Sequence, residues 1–360
     1  MLAGDLSFTL RDLEDQARAR VEAPAWAYLQ GGAAEERTLR WNRLAFERRT
    51  LRPRVLHDVG HVETASRILE RPVAAPFFVS PTAQHGLFHP EAEEGVARAC
   101  ASRGLLAVYS TLSTRSLESI AQAAPNARRW FQLYVHRDPE VTRALIRRAQ
   151  ETGYEALVVT VDAPVLGMRD REDSSGFRMD PRAPLGNLPG YEGGPEPLTQ
   201  ARHFALRTDP GLTWERVREL CRGTPLPVIL KGILTEEDAR RASETGVRGI
   251  VVSNHGGRQL DGAPPTLRAL PAVLRGAGDR LEVYLDGGVR RGSDIAVALA
   301  SGARAVGVGR PVVWALSVGG QAGVERYFGL LQEDLRITLA LLGCQSIQEL
   351  GPWALGEEFP

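Results

Sequence analysis

The sequence predicts a (β/α)8 barrel, on three observations. Short apolar runs of strand length recur eight times, amphipathic helical stretches separate them, and polar or ionisable residues gather just past their C-terminal ends. The runs are "VAAPFFVS" (73–80), "LLAVYS" (105–110), "WFQLY" (130–134), "ALVVTVD" (156–162), "LPVILK" (226–231), "GIVVS" (249–253), "LEVYLD" (281–286) and "AVGVG" (305–309). Most lack the alternation of a half-solvated strand, as expected when parallel strands bury both faces. No G-x-G-x-x-G follows the first run, which disfavours an open doubly wound sheet.

The stretches between the runs carry helix signals. "HPEAEEGVARACASRG" has Pro90 near its first turn and stops at Gly104. "DPEVTRALIRRAQETG" has Asp138 as N-cap, Pro139 at N1 and Gly153 as terminator, and a third helix starts from Thr235. Residues 1–72 lie outside the repeat and read as an N-terminal helical cover. Residues 170–212 are rich in Pro, Gly and charge, and read as a long lid loop between strand four and its helix. The whole chain, 1–360, reads as a single barrel domain.

Composition removes several functions. With 44 basic and 44 acidic side chains there is no electrostatic case for a nucleic-acid or membrane partner. Cys100, Cys221 and Cys344 are far apart and form no CxxC, which points to a reduced, cytoplasmic protein with no disulfide framework and no metal site built on cysteine. No apolar run approaches the roughly 20 residues of a membrane span.

Chemistry in such a barrel sits at the C-terminal ends of its strands. In order, the runs deliver there Pro81, Thr82 and Ala83; Ser110 and Thr111; Gln132 and Tyr134; Thr160 and Asp162, with Arg169 beyond; Lys231; Ser253, His255 and Arg258; Asp286, Gly287, Gly288 and Arg290; and Gly309 with Arg310. "DGGVRRG" and "GVGRP" combine free backbone N–H groups with arginines, an anion cradle. His255 can take a proton while Asp162 orients it. Arg169 and Arg258 can hold a carboxylate. Lys231 is a fixed charge suited to a cofactor that becomes anionic. Plainer readings go to His85 and His89 (capping or solvated), Arg128 and Arg129 (solvated at the opposite mouth), and Trp26, Trp41 and Trp214 (packing).

The segments "SNHGGRQLDG", "PTAQHGLFHPE", "WFQLY", "TVDAPVLG", "LKGILTEEDA", "DGGVRRGSD" and "GRPVVWAL" agree in order and spacing with one family. The chain resembles the FMN-dependent 2-hydroxy acid oxidases and dehydrogenases, which include glycolate oxidase, lactate oxidase and mandelate dehydrogenase. "YSTLSTRSLESI" is most similar to the hydroxymandelate oxidases among them. The resemblance implies FMN contacted by Pro81, Thr82, Ala83, Ser110, Gln132, Thr160, Lys231 and Ser253. Asp286, Gly287, Gly288, Arg290, Gly309 and Arg310 would hold its ribityl and phosphate. It implies Tyr28, Arg169 and Arg258 on the substrate carboxylate, Tyr134 on a substrate oxygen, and His255 as base backed by Asp162.

The implied reaction oxidises an L-2-hydroxy acid to the 2-oxo acid, with O2 accepting the electrons to give H2O2, in a homotetramer. Three positions depart from the family pattern. Ser80 stands where Ala is common, Met168 replaces a frequent arginine, and Leu112 replaces the tryptophan of glycolate oxidases. Leu112 leaves room for a bulky or aryl, mandelate-like substrate. Three rival readings remain: a lactate oxidase or monooxygenase, a quinone-linked 2-hydroxy acid dehydrogenase, and a catalytically silent flavin-binding scaffold. A barrel of the inosinate dehydrogenase kind would need a nucleophilic cysteine in a mouth loop, whereas Cys100 and Cys221 fall in helical stretches and Cys344 lies near the C-terminus.

Overall fold

The computed structural model describes residues 6–178, 183–188 and 207–359. Three helices come first: α1 (Leu13–Arg18), α2 (Ala23–Gln30) and α3 (Arg37–Glu47). Beyond them, from the basic and irregular stretch "ERRTLRPRVL" (47–56) onward, the cover carries short strands in place of helices. Strand β1 (Arg49–Leu51) pairs antiparallel with the C-terminal β12 (Leu355–Glu358), and β2 (Ser66–Ile68) forms a hairpin with β3 (Arg71–Val73). Strands this short carry little periodic signal, and the partner of β1 lies at the other end of the chain.

Eight parallel strands then close into a barrel: β4 (Phe77–Val79), β5 (Leu106–Ser110), β6 (Arg128–Leu133), β7 (Leu157–Thr160), β8 (Val228–Ile233), β9 (Gly249–Val252), β10 (Glu282–Asp286) and β11 (Val306–Val308), with β11 pairing back to β4. The helices between and after them are α4 (Ala92–Arg103), α5 (Leu117–Ala123), α6 (Pro139–Glu151), α7 (Asp170–Ser174), α8 (Trp214–Arg222), α9 (Glu236–Ala242), α10 (Thr266–Ala277), α11 (Gly292–Ala300) and α12 (Arg310–Leu341). Local signals act as the sequence suggests. The Asp138 carboxylate accepts from the Glu140 N–H, the Thr235 hydroxyl accepts from the Asp238 N–H, and Gly104 closes α4 in the left-handed region at φ 63°. Pro90 lies just outside α4, which begins at Ala92.

The side-chain period of a strand is two, and it builds this barrel in layers. Phe78, Val108, Trp130, Val158, Ile229, Val251, Tyr284 and Ala305 form one buried interior cluster. Phe78, Trp130 and Tyr284 meet there with ring centroids 5.8–6.3 Å apart. The alternate residues, such as Phe77, Tyr109, Phe131, Val159, Leu230 and Val252, bury outward under the helices. Both faces are dry, which explains the near-continuous apolar runs. Ile68 and Val73 of the hairpin join the interior cluster and close the N-terminal mouth, with Leu69 packed against it.

Arg128 and Arg129, expected to be solvated, are corrected. Arg129 is buried and donates to the carbonyls of Ala124, Pro125, Ala127 and Thr152. Arg128 bonds Glu155 and the carbonyls of Arg71, Pro72 and Ile68. A guanidinium carries five donors, enough to satisfy carbonyls left open where strands begin. The 170–212 stretch opens with α7 rather than a loop, and Ala183, Leu185 and Leu188 are buried. The lid reading falls in part on 179–182 and 189–206, which lie outside the described residues. Among the described residues, no helix is long and apolar enough to cross a membrane.

Candidate active site

Two residues along from the apolar layer, the inward positions turn polar: Ser80, Ser110, Gln132, Thr160, Lys231, Ser253 and Asp286. Gly307 occupies the eighth position, where a Cβ would come within 2.2 Å of Ser80 Oγ. Ser110 Oγ donates to Gln132 Oε1 (3.0 Å), and Gln132 Nε2 donates to Thr160 Oγ1 (3.0 Å). Lys231, only 4% exposed, donates to Ser253 Oγ at 3.0 Å and lies 3.6 Å from Asp286 Oδ2. Ser80 Oγ donates to that same carboxylate oxygen at 3.2 Å. A surface lysine is thereby ruled out.

His255 stands above this floor. Its Nδ1 is 3.0 Å from Asp162 Oδ1, and its Nε2 is 3.3 Å from the Tyr134 hydroxyl. His255, Gly256 and Gly257 all have positive φ, at 60°, 63° and 77°. A left-handed histidine is uncommon, and such outliers persist where surroundings enforce them. The enforcement is visible: a Cβ at Gly257 would lie 2.6 Å from Leu39 Cα, and the Ser253 hydroxyl accepts the His255 N–H at 3.1 Å. Burial lowers the imidazole below its ordinary 6.5, outweighing the upward pull of Asp162, so the ring is neutral near pH 7 and able to take a proton. The ring keeps 20% exposure toward the cavity, but the walls still desolvate it. Burial alone would raise the Asp162 carboxyl, yet His255 and Lys231 hold it below its ordinary value. Burial, reinforced by Asp162, raises the Tyr134 phenol well above its usual range, so it remains a hydrogen-bond donor.

Two arginines grip the C-terminal end of α2, where helix carbonyls lack internal partners. Arg258 Nη1 donates to the carbonyls of Tyr28 (2.7 Å) and Gly31 (2.6 Å), and its guanidinium lies 5.1 Å from the Tyr28 ring centroid. Arg310 donates to Leu29, Gly31 and Gly256 carbonyls at 2.9–3.1 Å. The Gly31 carbonyl is shared, which ties the Arg258 and Arg310 positions to each other. Burial and the neighbouring Arg258 bring Arg169 down to about 9. Burial and the charges of Arg258, Arg290 and Arg169 push Arg310 well below its ordinary value. So much positive charge facing one cavity favours anionic ligands.

Of the residues assigned from the sequence to base, substrate or cofactor, all but Asp162, Gln132, Thr160 and Ser253 line one cavity of about 1030 Å³. Those four are hydrogen-bonded behind its wall. The site fits FMN on three observations. Arg290 (4.3 Å from the Trp314 ring centroid) lines the cavity together with Gly287, Gly288 and Gly309, where a phosphate would be received, and Arg310 lines it too, with its guanidinium on the Leu29, Gly31 and Gly256 carbonyls. Asp286 Oδ1 is buried and bonds no described residue, an acceptor for a polyol hydroxyl. Lys231 supplies a buried cation at the floor.

The sequence reading missed several supports. Gln259 Nε2 donates to the carbonyls of Asp162 and Val165, both at 2.9 Å, while its Oε1 accepts from Arg169 Nη2 at 3.2 Å. Asn42 of α3 and Asn254 exchange a reciprocal amide pair at 2.8 Å, locking the cover onto the loop that carries His255. Phe177 stacks on Tyr28 with centroids 4.6 Å apart. His85, expected to be capping or solvated, is corrected: it is buried against the Thr82 hydroxyl because the turn it starts folds under the first mouth loop. His89 accepts the Glu91 N–H, as a local cap should. Trp26 and Trp214 pack on the core as expected, whereas Trp41 is 37% exposed beside Arg37.

The profile of the FMN-dependent dehydrogenase family matches residues 17–357. An L-lactate oxidase from Nostoc sp. is 45% identical over 358 residues, spanning 97% of this chain and 98% of that protein. Human 2-hydroxyacid oxidase 1 is 40% identical, with 94% of each chain covered. Among solved structures, mandelate oxidase with (S)-4-hydroxymandelic acid superposes with a TM-score of 0.93 at 42% identity, covering 98% of this chain and 99% of that one. A point mutant of an active chimera of (S)-mandelate dehydrogenase gives 0.90 at 35% identity with the same coverage.

Proposed function

The chain belongs to the FMN-dependent dehydrogenase family, and from that premise we propose that it oxidises a bulky or aryl L-2-hydroxy acid to the 2-oxo acid, using FMN and passing the electrons to O2. The observation that carries the reading is the His255–Asp162 pair facing a cavity with Arg169 and Arg258 on its wall. In becoming the 2-oxo acid, the substrate loses two electrons and two protons. His255 Nε2 takes up one of these protons, and Asp162 stabilises the imidazolium that forms. The Tyr134 phenol, beside Nε2, donates to the substrate oxygen. Arg258 and Arg169 hold the carboxylate, with Tyr28 as the neighbouring ring. Lys231 and Ser110, with Pro81, Thr82 and Ala83, would hold the cofactor's ring, and Gln132, Thr160 and Ser253 would support that floor from behind. Asp286 takes its polyol, and Gly287, Gly288, Arg290, Gly309 and Arg310 take its phosphate. Bound FMN would supply acceptance of the two electrons and the second proton, and O2 would take up both electrons and both protons, His255's included, to give H2O2.

Leu112 supports a large substrate. It lines the cavity beside Tyr134, and a leucine leaves more room there than an aromatic ring. Oxidases acting on lactate and mandelate stand among the relatives by name, and the Leu112 wall favours the larger acid. The whole chain acts as one cofactor-binding domain, in a cytoplasmic homotetramer. The test is anaerobic mixing of FMN-loaded protein with mandelate, lactate and glycolate, followed by air. Bleaching of the flavin by mandelate, recovery in air and H2O2 release are expected. A flavin that no 2-hydroxy acid bleaches overturns the reading.

A further inference from the structure

We propose that Glu172 is a built-in counter-anion at the substrate-carboxylate site, occupying one edge of Arg258 and thereby setting how tightly anionic substrates bind. This rests on the reading that Arg258 receives the substrate carboxylate. Glu172 sits in α7 and is 5% exposed. Its Oε2 lies 3.7 Å from Arg258 Nη2, within ion-pair range but too long for a hydrogen bond. That oxygen is buried and hydrogen-bonds to no described residue. The charges acting on it are Arg258 from the base loop, and Arg169 and Asp173 from its own segment. Burial lifts its carboxyl above the ordinary range despite both arginines. A desolvated, poorly bonded carboxylate beside a substrate-binding arginine is costly to keep, and nothing else in the site's chemistry uses it.

Two effects of removing its charge oppose each other. Glu172 could be needed to hold Arg258, in which case its loss weakens acid binding. Alternatively it repels the incoming carboxylate and shares Arg258 with it, in which case its loss tightens binding. The geometry favours the second. Arg258 is already fixed by two carbonyls at 2.6 and 2.7 Å and by the Tyr28 ring, none of which involves Glu172. Two like charges several ångströms apart in a partly buried site repel by enough to change affinity about tenfold.

The test compares an anionic ligand with its neutral isostere on the oxidised, FMN-loaded protein: benzoylformate against its amide, each titrated by the change in flavin absorbance. Glu172→Gln should bind the acid about tenfold more tightly and leave the amide unchanged. Glu172→Asp, which keeps the charge, should keep the wild-type ratio of acid to amide affinity. A Glu172→Gln that binds the acid more weakly, or that shifts acid and amide together, overturns the proposal in favour of a structural role. Should Glu172→Gln fail to load FMN, the wild-type affinity for the acid read against a Glu172→Asp panel decides, since a wild-type ratio there is required. Failure of the wild type to bind any carboxylate would instead strike at the substrate assignment itself.

Discussion

Asp162 Oδ1 lies 3.0 Å from His255 Nδ1, which leaves Nε2 facing the Tyr134 hydroxyl and the cavity. The pair therefore has a fixed direction: the carboxylate holds one nitrogen, and the other is the one turned toward the cavity, where the proposed base would take its proton. Burial lowers the imidazole and Asp162 raises it, with burial the stronger. The base is active when neutral, so kcat/KM should fall as pH drops through a value below 6.5. Asp162→Asn removes the upward influence. Its acid limb should move to still lower pH, with a lower plateau because the imidazolium loses its support. A pH–rate profile in which the limb moves upward contradicts the assigned pairing.

Arg258→Lys should reduce kcat/KM by about 10- to 100-fold, the range for a hydrogen bond to a charged group. A lysine cannot bind the carboxylate in bidentate fashion, nor reach both carbonyls at the end of α2. FMN content should be unchanged. Loss of FMN with normal turnover after reconstitution would move Arg258 to the cofactor site.

Lys231→Met should weaken FMN binding and lower its midpoint potential, because a buried cation in the polar floor favours the more negative reduced form. The same substitution leaves Asp286 with Ser80 as its hydrogen-bonded neighbour in the floor. A redox titration showing an unchanged or raised potential rules this role out.

Leu112→Trp should shift the preference from mandelate toward glycolate. Apolar pocket contacts discriminate by about 1–3 kcal/mol for each group, which puts the wild-type preference for mandelate on the order of 10²–10³ in kcat/KM. Comparing mandelate, lactate and glycolate on both proteins checks it. A wild type that prefers glycolate, with a ratio unmoved by the substitution, removes the argument from Leu112.

What could be read in the chain alone follows from range. The barrel was legible because each strand buries both faces, so its signal lies within a few consecutive residues. Asp286 was legible because it ends its strand, His255 and Arg310 because they lie within three residues of theirs, and Arg258 because it shares the glycine loop with His255. The supports were not. Gln259 meets Arg169 from 90 residues away, and Asn42 meets Asn254 across 212. An amide in a helix or loop carries no local sign of such a partner. Arg128 and Arg129 were misread for a related reason. A charge at a strand start looks solvated until the carbonyls of the hairpin and neighbouring loops are placed around it. Strand β1 likewise depends on β12, which only the closed fold brings alongside.

The central claim is that His255 is the base for 2-hydroxy acid oxidation, and anaerobic stopped-flow reduction of the flavin by mandelate tests it most directly. The wild type should bleach in a single substrate-dependent phase. His255→Ala should bind FMN with an unaltered oxidised spectrum and bleach about 10²–10⁴-fold more slowly. A His255→Ala protein reduced at the wild-type rate would contradict the account.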